Sequence, residues 1–134
     1  MTKDDLKNYE FLRREVIRLR ERLEEIDSRI SSPKIPVING MPHAPLQSST
    51  SAQEDMLIKA MELRELYYTK LQEMQKRLYE VEMAISDLEP ISRVLLRYRY
   101  LDGKTWEEIC EKLDYSWAQV HRLHTKALEQ LKAE

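Results

Sequence analysis

Glycine is almost missing from this chain: Gly40 and Gly103 are the only two in 134 residues, where average usage would give about nine. Two glycines cannot build a glycine-rich phosphate loop or a dinucleotide fingerprint. Cysteine is scarcer still. Cys110 stands alone, so no internal disulfide can form, which fits a reducing, cytoplasmic setting. Long apolar runs are absent too: none exceeds three residues, as in Met56–Ile58 or Val94–Leu96, and no segment can span a bilayer. The opening Met1-Thr2-Lys3-Asp4-Asp5 leads into no apolar stretch and does not read as a secretory signal. No acid–histidine–nucleophile set is visible, and Glu107–Glu108 is better read as a helix start favoured by the dipole. The expectation is a protein that is not an enzyme and carries no cofactor.

What is present is charge and heptad spacing. Residues 1–30 carry eight basic and eight acidic side chains, residues 53–89 five and nine, and residues 90–134 eight and seven; between them, 31–52 holds only Lys34. That middle stretch has four of the five prolines and six Ser/Thr. It reads as a flexible connector. Before it, Tyr9, Leu12, Val16, Leu19, Leu23, Ile26 and Ile30 recur at alternating steps of three and four, an apolar seam predicting a first long helix over 1–30. After it, Met56, Ala60, Leu63, Tyr67, Leu71, Met74, Leu78, Val81, Ile85 and Leu88 predict a second over 53–89. Ser51-Ala52-Gln53-Glu54 has the form of a capping box and sets its start near residue 52. Seams this long can fold back on one another or zip two chains together. Because the two are long and unequal, a homo-oligomer through residues 1–89 is expected.

The remaining segment, 90–134, has the outline of a helix-turn-helix. Pro90 suits the first turn of a short helix that stops at Asp102-Gly103. Thr105-Trp106-Glu107-Glu108 is a capping box opening a second helix through Leu113, and Ser116-Trp117-Ala118-Gln119 opens a third that runs to about Lys132. On the wheel of that last helix, Val120, Leu123, Ala127 and Leu131 share a face suited to Trp106, Ile109, Cys110 and Leu113. Opposite lie Ala118, Gln119, Arg122, Thr125 and Lys126, with Trp117 and His121 on a flank. Arg122 can fork onto guanine and Gln119 onto adenine, while Lys126 better suits a phosphate. The base-reading candidates are therefore Trp117, Ala118, Gln119, His121 and Arg122. The phosphate candidates are Arg97, Arg99, Lys104, Thr125 and Lys126. His121 and His124, three apart, could hold a metal, but two ligands are too few and no metal is expected.

Gly103-Lys104-Thr105-Trp106-Glu107-Glu108-Ile109, then Ser116 to Val120, His121-Arg122-Leu123-His124 and Ala127-Leu128-x-x-Leu131, resembles the fourth region of bacterial sigma factors. That module reads the −35 promoter element and docks on the polymerase flap. The whole layout is similar to small phage-encoded regulators of the RinA and ArpU type, with a charged helical part before a sigma-region-4-like end. Trp117, Ala118 and His121 stand where sigma factors usually carry charge, so the resemblance implies groove insertion rather than the −35 sequence itself. It implies an all-α fold: a long, coiled-coil-like helical pair followed by a three-helix, sigma-region-4-like helix-turn-helix. The implied function is transcription regulation in a bacterial host cell, with double-stranded DNA and bacterial RNA polymerase as partners and no membrane. Two rivals remain at this point: an adaptor that docks on RNA polymerase or its sigma factor without touching DNA, and a phage DNA-packaging component.

Overall fold

The computed structural model describes residues 1–31 and 45–133, with side chains over 1–30 and 51–133. Among the described residues there are five α-helices and no strand: α1 Lys3–Ser31, α2 Pro45–Ile85, α3 Pro90–Leu96, α4 Trp106–Leu113 and α5 Trp117–Lys132. A π-turn over Arg97–Leu101 extends α3. No described helix is long and apolar enough to cross a membrane.

The starts and stops follow local chemistry. At the head of α1, Thr2 N–H donates to Asp5 Oδ2 at 2.8 Å and Asp5 N–H to Thr2 Oγ1 at 3.4 Å, a reciprocal cap. These bonds hold the Asp5 carboxyl below its ordinary range. The second long helix departs from its expected bounds of 53–89. It begins at Pro45, where the ring's fixed φ suits a first turn. Ser51-Ala52-Gln53-Glu54 therefore lies inside α2 and caps nothing. No glycine and no further proline interrupts 46–85, so propagation, which adds a bond per residue, carries through the Ser/Thr run. α2 stops at Ile85 because Pro90 forbids helical geometry to Glu89, which sits at φ −56°, ψ 147°. Of the expected connector 31–52, residues 45–52 are helix, and 32–44 lie outside the described residues.

The chain divides into two compact units, and both long helices contribute to each. One unit comprises Glu15–Leu71. Its α1 and α2 segments run antiparallel, as two ion pairs record: Glu15 with Lys70 at 3.6 Å and Asp27 with Arg64 at 2.8 Å. The seam is what they bury. Val16, Leu23 and Ala60 are buried, and Leu19, Ile26, Leu63, Tyr67 and Leu71 partly so. Towards the start of α2 the cover ends: residues 51–59 are all exposed. Leu57, Ile58, Met61, Leu66 and Tyr68 lie off the seam and face solvent.

The other unit joins Met1–Arg14 to Gln72–Glu134. It brings the first turns of α1 together with the helix-turn-helix. Leu6 and Tyr9 of α1 pack with Val81, Ile85, Leu88, Leu96, Tyr100, Ala127 and Leu131 in one core. A second core holds Leu95, Ile109 and Val120, flanked by Tyr98, Trp106, Cys110, Leu113 and Leu123. The apolar face of α5 is thus shared. Val120 and Leu123 meet α4 as expected, but Ala127 and Leu131 meet α1, α2 and α3 instead. The reason is length: α4 has 8 residues and α5 has 16, so at 1.5 Å per residue the shorter helix ends about 12 Å before the longer.

Candidate nucleic-acid interface

Four local devices aim α5. Gly103, at φ +71°, ends the π-turn in the left-handed region. Thr105 then caps α4: its Oγ1 accepts from Glu108 N–H at 3.2 Å, and Glu108 returns the contact to the Thr105 backbone. Asp114 turns the chain at φ 56°, with Tyr115 N–H donating to Cys110 O at 3.1 Å, a closure in which glycine is the usual residue. Ser116 caps α5, accepting from Gln119 N–H at 3.2 Å, while Gln119 Oε1 accepts from Ser116 N–H at 2.8 Å.

This geometry brings five of the ten candidate residues onto one surface. Ala118, His121, Arg122, Thr125 and Lys126, with Glu129, line a shallow depression of about 370 Å³ on the outer face of α5. Arg122 is exposed and forms no ion pair with any described residue. Thr125 Oγ1 donates to His121 O at 3.0 Å, and Lys126 lies 3.5 Å from Glu89. Trp117, at the first position of α5, is 52% exposed, with its ring centroid 4.4 Å from that of His121.

The other candidates are committed elsewhere. Gln119 spends its side-chain oxygen on the cap, whereas a fork onto adenine needs that oxygen together with the amide N–H. Arg97 grips Glu82 through Nε at 3.2 Å and Nη2 at 2.8 Å, so a phosphate would have to break a two-point ion pair. Arg99 donates to Lys104 O at 3.1 Å and lies 4.4 Å over the Trp106 ring, and the Lys104 ammonium lies 5.7 Å from the Tyr98 ring.

Trp106, which the pattern had placed only in the core, supports this surface, and Tyr100 fixes the buried histidine behind it. Trp106 on α4 backs His121, with centroids 4.6 Å apart, and also touches His124 at 4.8 Å. Tyr100 shares a 2.8 Å hydrogen bond with His124 Nε2. Burial pushes the Tyr100 hydroxyl up to about 12 and the His124 imidazole down to about 4, so both are neutral near pH 7. The two histidines therefore differ: His124 is buried in the fold, and His121 is held between two indoles. The Trp117–His121 pair, four apart on one helix, was open to a helical wheel. The partnership with Trp106 was not, because it crosses from one helix to another.

Residues 84–133 match the family model described as sigma-70, region 4. A 51-residue stretch is 41% identical to the RNA polymerase sigma-F factor of Bacillus subtilis (strain 168), covering 38% of this chain. The chain spans about 20% of the length of that relative. No solved structure matches it. Residues 84–133 thus form a sigma-region-4-like helix-turn-helix.

Proposed function

We propose that this protein is a DNA-binding transcription regulator that lays α5 in the major groove. One observation carries the reading. The outer face of α5 gathers Ala118, Arg122, Thr125 and Lys126 on an open surface, while its inner face, Val120, Ala127 and Leu131, is buried. Arg122 is the base reader, with the planar fork that suits guanine O6 and N7. Lys126 and Thr125 serve phosphates. RNA polymerase is a second partner, in keeping with the sigma-region-4 character of 84–133. Control of late genes in a phage or prophage follows from the likeness to RinA- and ArpU-type regulators.

The test is a selection from random duplexes, followed by two variants. Arg122→Ala should cost about 1–3 kcal/mol on the enriched site and relax specificity at one position. Lys126→Ala should weaken all sequences alike and lower the salt slope by about one ion. The adaptor reading gains from one fact: Arg97 and Lys126 already face carboxylates of their own chain. Failure to enrich any duplex at low salt would put the adaptor first.

The homo-oligomer through 1–89 also stays a proposal, by a different route. The seams are used within the chain, so the contact is assigned to Leu57, Ile58, Met61 and Tyr68, large apolar side chains crowded on neighbouring turns of α2. A dimer would present two copies of α5 to a two-fold site.

A further inference from the structure

We infer that Trp117 and Ala118 read the 5-methyl group of thymine at the leading end of α5. This rests on the DNA-reading proposal and names the base feature that the first turn recognises. The first turn of α5 offers Trp117, Ala118 and Gln119. Gln119 is the one with hydrogen-bonding readout chemistry, and its oxygen is held by the cap at 2.8 Å. What remains on display is mostly apolar surface: the carbon face of an indole left 52% exposed and a methyl group on an exposed alanine. Of the features that base pairs present in the major groove, the thymine methyl is the apolar one.

The indole is also held in place before any DNA arrives. Arg99 lies 4.4 Å over Trp106, Trp106 lies 4.6 Å from His121, and His121 lies 4.4 Å from Trp117. This run of four groups in contact, its ring pairs tilted at 46–47°, starts in the π-turn, crosses α4 and ends at the tip of α5. A side chain restrained this way loses little rotamer freedom on binding, so a small apolar contact registers as affinity. Trp117 is in contact with His121 and is still half exposed to solvent.

Deoxyuridine tests the idea, because it removes the methyl group and leaves every hydrogen-bonding edge of the base in place. The probe is the duplex enriched by the random selection, with its thymines replaced one at a time. One or two replacements should weaken binding by the full-length protein about three- to five-fold, in line with burial of one methyl group. Trp117→Ala should lose most of the discrimination between thymine and uracil duplexes and keep wild-type helicity, and Trp117→Phe should retain more of it. If every uracil duplex binds the wild-type protein as tightly as its thymine parent, the inference fails and DNA reading stands. If no duplex is enriched at all, both fail together.

Discussion

His124 is the side chain whose chemistry most constrains this fold. The residue is 7% exposed, with its ring bonded to the Tyr100 hydroxyl and edge-on to Trp106. Burial lowers its folded-state value from 6.5 to about 4. The unfolded chain therefore takes up a proton first as pH falls, and the stability present above pH 6.5 is lost progressively down to about pH 4. Allowing for partial solvent screening, the loss should reach about 2 kcal/mol. Urea unfolding at a series of pH values should show this slope, and His124→Leu should flatten it. An unchanged slope in that variant would assign the acid sensitivity to other groups. Tyr100→Phe leaves the imidazole without its partner and should cost about 1–3 kcal/mol at pH 7.

At the scale of elements, the turn between α4 and α5 sets the angle of the exposed helix. Ser116→Ala removes the acceptor for Gln119 N–H and should cost about 1 kcal/mol. It should also release the Gln119 side chain, so altered preference at one base position would accompany the stability loss in a repeated selection. Asp114 pays a steric cost at φ 56° that glycine would not. After the entropy penalty of glycine, Asp114→Gly should still stabilise by about 0.5 kcal/mol in thermal melts. The same logic works in reverse at Gly103. A Cβ there would meet Arg13 Nη1 at 2.9 Å in addition to the left-handed strain, and the Arg13 guanidinium also donates to Asp102 O.

For the molecule as a whole, the first turns of α1 are part of the helix-turn-helix unit. Leu6 is completely buried and Tyr9 nearly so, against α2, α3 and α5. Leu6→Ala should cost about 2–5 kcal/mol and lower the stability of the C-terminal unit, detected as faster amide exchange at Leu96, Tyr100 and Leu131. Wild-type exchange at those amides would show that residues 84–133 are stable without α1. Self-association belongs to this scale too. Met61→Glu with Tyr68→Glu should convert a dimer at tens of micromolar into a monomer in sedimentation equilibrium without loss of helicity. A parent that sediments as a monomer would remove the proposed oligomer and any expectation of a two-fold site.

The local features were legible because their causes lie within a few residues. Heptad spacing marked the buried side of α1 and α2, and Thr105–Glu108 and Ser116–Gln119 announced their capping boxes; the helix-turn-helix outline followed. Where local signals competed, they misled: Ser51–Glu54 has the form of a cap, but an uninterrupted helix from Pro45 overrides it. Tertiary structure decided the partnerships between distant residues. Arg97 is taken by Glu82, 15 residues away, and His124 by Tyr100, 24 away, while Arg13 reaches Asp102 across 89. A wheel drawn for one helix shows which side chains face outward. Whether an outward cation finds a carboxylate, or an indole finds a second ring to lean on, depends on a neighbouring helix whose position is set by cores built from both ends of the chain.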